Sequence, residues 1–228
     1  MIASSKKPME EILQMLDGLD KVFVIGCGDC ATQCETGGEV EVEQMRVDLE
    51  EAGKTVTGTV VPDVTCNVLD TARLLRKQKE QVAQADALLV LSCGTGVQAV
   101  ADSQENTPVF PGLNSDFSAI TKRKGQIYER CVCCSECVLA DYAGICPIAR
   151  CPKGQLHGPC GGYDDGKCEV NPEQDCVWAL IFERAEKTGQ LEKVLDKMGT
   201  EEPKNWEVDK HPSELVFEPR RAGKLKAK

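Results

Sequence analysis

In Lys21-Val22-Phe23-Val24-Ile25-Gly26-Cys27-Gly28-Asp29-Cys30, an apolar, β-branched run stops at a glycine, and two cysteines spaced C-x-x-C follow at once. A run of that kind bounded by glycine reads as a buried strand. Thr55–Val61 (TVTGTVV) and Ala87–Leu91 (ALLVL) repeat the pattern, and Pro108–Phe110 is a candidate fourth strand. The segments between them carry helical signals. Thr36-Gly37-Gly38-Glu39 has the form of a capping box, Val42, Met45 and Leu49 follow at helical spacing, and Gly53 sits where a C-cap belongs. Asn67 is placed to cap a helix through Val68, Leu69, Ala72, Leu75 and Val82, and Cys93-Gly94-Thr95-Gly96-Val97 opens a short one. Strands alternating with helices predict right-handed βαβ units, hence an α/β fold with a small parallel Rossmann-like sheet.

The rest of the chain has another texture. Nine of the 14 cysteines lie between Cys131 and Cys176, among glycines and prolines and with few periodic apolar residues. Such a segment lacks the apolar mass for a core, so a metal-stabilised, cysteine-rich domain is expected. A helical pattern returns from Cys176 to Met198, with Val177, Leu180 and Ile181 on one face and Gly189 as a break. The expected organisation is residues 1–120 as the Rossmann-like domain with cysteines at strand ends, 121–185 as the cysteine-rich cluster domain, and 186–228 as a helical and extended C-terminal tail.

Composition narrows the function classes. The 228 residues carry a net charge of −10, and the last nine hold five basic side chains and no acid, so what precedes them is more acidic still. That field argues against nucleic acid or an anionic membrane as the main partner. Aromatics are only 4%, which predicts an aliphatic core. No apolar run approaches the ~20 residues of a membrane helix, and the N-terminus has no export-signal pattern. A reducing cytoplasmic location is therefore expected, where thiols this dense signify metal or redox chemistry rather than a disulfide framework. With only His157 and His211 as imidazoles, any metal shell must be almost all thiolate, which selects Fe–S clusters and zinc.

Cys27, Cys30 and Cys34 follow the first strand, and Cys93 stands at the matching end of the third. Carboxyl ends of neighbouring parallel strands open into one crevice, so these four thiols are candidate ligands of a cubane cluster. Zinc or a C-x-x-C dithiol are the alternatives, and Cys66 is a fifth candidate able to replace Cys27 or Cys93. Gly94 and Gly96 permit close backbone approach at a helix N-terminus, which favours an anionic cofactor. Cys131, Cys134 and Cys137 form the C-x2-C-x2-C of a ferredoxin-type run, followed by Cys146-Pro147, Cys151-Pro152, Cys160, Cys168 and Cys176. Nine thiols make two quartets and one spare, taken as Cys133; one cluster plus one zinc fits the count equally well. His157 is expected to be solvated or hydrogen-bonded rather than ligating.

Cys131-x2-Cys134-x2-Cys137, Ile145-Cys146-Pro147, Cys151-Pro152-Lys153-Gly154, Gly158-Pro159-Cys160-Gly161-Gly162, Gly166-Lys167-Cys168-Glu169-Val170 and Asp175-Cys176-Val177-Trp178 together resemble the methylenetetrahydrofolate reductase C-terminal cysteine-rich domain, over roughly residues 129–185. Upstream, Gly26-Cys27-x2-Cys30-Ala31, Gly37-Gly38-Glu39 and Ser92-Cys93-Gly94-x-Gly96-Val97-Gln98 resemble the N-terminal half of the same iron–sulfur small subunits, the MetV type of the two-subunit reductase of acetogens. The resemblance implies two or more [4Fe–4S] clusters on the cysteines named above. It also implies a flavin (FMN) TIM-barrel partner that acts on folate, an upstream electron-donor protein, and a role in passing electrons to that flavin in one-carbon metabolism. His157 stands where that family's pattern has asparagine. No flavin or pterin pocket and no phosphate loop is evident, so a complete active site within this chain is not expected. A free-standing thiol oxidoreductase and a structural zinc scaffold are the alternatives.

Overall fold

The computed structural model describes residues 1–104, 106–134 and 137–200. In chain order, β1 (Ile2–Lys6) and α1 (Met9–Met15) precede β2 (Lys21–Ile25), α2 (Cys30–Gln33), α3 (Glu39–Glu51), β3 (Thr55–Val60), α4 (Val68–Lys77), α5 (Lys79–Ala83), β4 (Ala87–Val90) and α6 (Gly94–Ser103). Then come β5 (Val109–Pro111), β6 (Leu113–Arg123), β7 (Gln126–Cys131), α7 (Pro147–Arg150), α8 (Val177–Lys187) and α9 (Leu191–Thr200). The expected α/β class is what the chain adopts: β3-β2-β4-β5 form a fully parallel sheet.

Successive residues of its two central strands serve opposite faces, as the pleat requires. Val22, Val24, Ala87 and Leu89 pack with Ile12, Leu16, Val42 and Leu49 on one face. Phe23, Ile25, Leu88 and Val90 pack with Leu75, Val82 and Val100 on the other. Residues 22–25 and 87–90 are fully buried, which is why both strands read as continuous apolar runs rather than alternating ones.

Three local readings shift. The cap of α3 is Gly38, whose amide is accepted by Glu41 at 2.9 Å, while Thr36 is buried and donates to the Ala31 carbonyl. The helix capped by Asn67 breaks at Gln78 into α4 and α5. A second, antiparallel sheet β1-β6-β7 has no counterpart in the sequence reading, and its middle strand runs through residue 120.

A small core beside the cysteine-rich segment is supplied mainly by the helices that follow it, with Tyr142 and Ala143 from the segment itself. Tyr142 and Trp178 are fully buried and meet edge-to-face at 5.4 Å and 85°, joined by Val177, Ile181, Ala185 and Val194. The aliphatic expectation thus holds around the parallel sheet, apart from Phe23, but not here. Leu180 lies outside the fully buried face, and Gly189, with φ +68°, makes the turn between α8 and α9. The expected tail lies outside the described residues beyond Thr200.

Candidate metal centres in two cysteine groups

From β2 the chain moves to β3 on one side and then to β4 on the other, so the strand order reverses between β2 and β4. Their carboxyl ends flank the crevice where open α/β sheets bind ligands. Cys27 leaves β2 there, and Cys93 caps α6 after β4. The turns are held by backbone bonds: Leu91 donates to Ile25 at 2.7 Å, Cys27 to Gly37 at 2.8 Å and Gly28 to Pro62 at 2.8 Å. Gly37 is obligatory by space, because a Cβ would stand 2.0 Å from the Leu91 carbonyl oxygen.

The loop carrying Cys66 folds onto the same crevice. Thr65, fully buried, donates to the Gly26 carbonyl at 2.6 Å and lies where a Cβ on Gly96 would come within 3.4 Å. Partial burial pushes the Cys66 thiol up from its ordinary pKa, and the nearby sulfurs of Cys93 and Cys27 push the same way. Cys30 and Cys34 turn towards β1. The Cys34 sulfur lies 3.9 Å from the Ile2 carbonyl. Burial raises the Cys30 thiol, with the Ile2 backbone opposing and Asp29 adding to the rise. The structure therefore brings Cys66 to Cys27 and Cys93, and places Cys30 and Cys34 on the side facing β1. The amide of Gly94 donates to the Ser115 hydroxyl at 2.8 Å and that of Gly96 to the Cys93 carbonyl at 2.9 Å. Both donors are engaged within the chain; Gly96 is also needed for close packing, since a Cβ there would stand 2.4 Å from the Ser92 hydroxyl, whereas Gly94 is exposed.

In the second group, Cys151, Cys160, Cys168 and Cys176 line one pocket together with Lys153, Glu169 and Trp178. A knuckle of backbone bonds builds it: Cys168 donates to Gln174 at 3.0 Å and Cys176 to Gly166 at 2.7 Å. Sulfur in this pocket already makes polar contacts. The Gln155 amide points at the Cys151 sulfur at 3.4 Å, and Cys160 reaches Glu169 at 3.5 Å. Glu169 is ion-paired to Lys153, whose ammonium holds that carboxyl below its usual range. Cys131 ends β7, and the amide of Cys133, in the left-handed region at φ +52°, points at the Cys131 sulfur at 3.4 Å. The Cys131 sulfur is also the main cause of a raised Cys133 thiol. Cys146 caps α7, which packs on β7, and Cys137 is exposed. His157 hydrogen-bonds through Nδ1 to the Met198 carbonyl at 2.9 Å, so it closes the end of α9 against the segment as a structural contact.

The cysteines are not joined in disulfides among the described residues, and no group of three or more His, Cys, Asp or Glu among them stands in metal-holding geometry. The donor set nonetheless suits a soft metal: four thiols around one pocket, amides directed at sulfur, and a nearby ammonium. Thr65, Ser115, Lys153 and Glu169 escaped the sequence reading. The Gly-Lys-Cys-Glu and Cys-Pro-Lys-Gly motifs hold the last two, but nothing in either stretch pairs them.

An α/β protein with a parallel sheet and a cysteine-rich segment is thereby defined. Residues 110–207 match the family described as "Methylene-tetrahydrofolate reductase C terminal", from β5 through α9, which relates the chain to reductases of that type. No curated protein and no solved structure matches. No described helix is long and apolar enough to cross a membrane.

Proposed function

We propose that this chain is the electron-carrying iron–sulfur subunit of a methylenetetrahydrofolate reductase complex, working in a reducing cytoplasm and passing electrons from a donor protein to the flavin of a TIM-barrel partner. One observation carries the reading: two cysteine groups lie on either side of the β1-β6-β7 sheet, with Cys34 against Ile2 of β1 and Cys131 at the end of β7. A relay needs centres at such close quarters, held by a rigid element. The family match supports the reductase association.

In this reading Cys151, Cys160, Cys168 and Cys176 hold one cluster. Cys131, Cys134, Cys137 and Cys146 hold a second, and Cys27, Cys30, Cys34, Cys66 and Cys93 supply the ligands at the sheet crevice. Bound clusters supply reversible one-electron storage. The chain itself fixes the thiols, directs amides and the Lys153 ammonium toward sulfur, and covers the 151–176 pocket with Trp178.

The test is anaerobic purification with iron, sulfide and zinc analysis. Twelve irons are expected for three [4Fe–4S] centres. Cys168→Ser is expected to remove about four of them and Cys133→Ser none. The mixed chain and barrel subunit should show flavin reduction by a low-potential donor only when this chain is present. A colourless, zinc-loaded, iron-free protein overturns the reading in favour of a scaffold.

A further inference from the structure

A wide groove opens between the β6–β7 hairpin, the start of α7 and the C-terminal half of α8. Arg130, Arg150, Arg184 and Lys187 line it against one acid, Glu183, which is already paired to Lys187. Arg150 is half-buried, has no ion pair among the described residues, and stands beside the like charge of Arg130. Taking a guanidinium out of water beside a second cation is costly until an anion arrives. The neighbouring surface is apolar. Ile120 is 49% exposed, and Tyr128, directly opposite it in β7, is 38% exposed with the Arg130 guanidinium 5.1 Å above its ring. An exposed apolar pair beside unpaired cations, on a chain of net charge −10, fits the acidic face of another protein.

Cys146 indicates what that protein carries. Of the four thiols assigned above to the 131–146 cluster, it alone lines the groove among the described residues, so the groove is the open approach to that centre and not its cage. A permanent subunit covers a broad apolar face of about 2,000 Å² or more. Here charge outweighs a few apolar side chains, which suits a redox partner that is steered in and leaves again. We propose that this groove seats the electron donor, a small protein whose own redox centre lies behind a carboxylate-rich face. The inference rests on the iron–sulfur reading, which gives Cys146 a centre for the donor to face; the sign of the partner rests on the groove's charge alone.

The test follows, by stopped flow, the association of a fluorescently labelled acidic two-cluster bacterial ferredoxin with the full chain. The rate is expected to fall about tenfold or more between about 0.05 and 0.5 M salt. Arg130→Glu with Arg184→Glu is expected to slow it about tenfold or more at low salt. Lys77→Glu with Lys79→Glu, the same charge change on α4 and α5, should slow it less than about threefold. Arg184 is exposed on α8, and Arg184→Gln alone, expected to slow association about threefold, decides the matter should the reversed pair fail to fold. Iron analysis of the same preparations keeps the two readings apart. An iron-free chain with groove-dependent binding supports the seat and overturns the relay. An iron-loaded chain whose association ignores salt and the groove variants, or whose ferredoxin is displaced by the barrel subunit, overturns the seat.

Discussion

Ile2 and Cys131 sit on opposite sides of Ser118 in a single row of the antiparallel sheet, Ile2 registered against it from β1 and Cys131 from β7. Two strand spacings separate them, about 10 Å. The Ile2 carbonyl touches the Cys34 sulfur, so this row joins the two cysteine groups through β-sheet backbone. The next residue of the central strand, Ala119, is buried and donates its amide to the Met1 carbonyl at 2.9 Å. Ala119→Pro removes that donor from a central strand and is expected to lower stability by about 3 kcal/mol. Urea denaturation checks the figure, with Ala119→Val as the control that keeps the amide.

Gly37 and Gly53 make opposite predictions for the same substitution. A methyl group at Gly37 meets backbone, the Leu91 carbonyl oxygen, at 2.0 Å, and neither partner is a flexible side chain that can swing away. Gly37→Ala therefore pushes the 36–38 loop off the end of β4 and breaks the 2.8 Å bond from the Cys27 amide. A loss of about 3 kcal/mol or more is expected. Gly53 faces open space and costs only its left-handed backbone at φ +84°, about 1–2 kcal/mol on substitution. Denaturation midpoints of the two alanine variants should differ accordingly.

Cys66 provides a pH-dependent signature in metal-free protein. Its folded thiol pKa is raised, first by burial and then by Cys93 and Cys27. The thiolate is the reactive form, so iodoacetamide should label Cys66 more slowly than an unstructured cysteine peptide at pH 8. Replacing Cys93 and Cys27 by serine removes the two sulfurs that add to the rise and is expected to speed labelling. The linkage sign follows from the raised value. Stability tied to this thiol is intact below the ordinary range near 8.5 and falls as pH climbs through the folded pKa. Mass-resolved labelling across pH 7–10 reads both effects.

The parallel sheet was legible because its central strands are buried on both faces and so write uninterrupted apolar runs at 22–25 and 87–91. β1 was not: Ile2-Ala3-Ser4-Ser5-Lys6 is mostly polar, and its pairing partner lies over a hundred residues away in β6. The cap of α3 was misplaced by two residues because Thr36 has the right chemistry for an N-cap, but tertiary bonds to Ala31 and Ser4 claim its hydroxyl. The cysteines were visible as a class from their density along the chain. The sharing of one pocket by Cys151, Cys160, Cys168 and Cys176 was not visible, because that pocket is closed by a knuckle and by Trp178 from the next helix. Spacing along the chain carries no trace of such a closure.

Trp178 ties the small core to that pocket and allows the two to be separated. Its indole N–H donates to the Gln155 carbonyl at 3.0 Å, while the Gln155 amide points at the Cys151 sulfur at 3.4 Å. The ring is fully buried and packs edge-on to Tyr142. Trp178→Phe keeps most of the apolar surface but leaves the Gln155 carbonyl without its donor, an expected cost of about 1–3 kcal/mol. Trp178→Ala adds a cavity and should cost about 3–5 kcal/mol. Because the Gln155 carbonyl loses its tie to α8 in both, the 151–176 pocket should loosen before the parallel sheet melts. Hydrogen exchange at Gln155 and Cys176 should quicken in Trp178→Phe while Val24 and Leu89 remain as protected as in the unaltered chain. Equal loss of protection in both regions would mean that the two cores unfold as one unit, and that the knuckle has no stability of its own to lose.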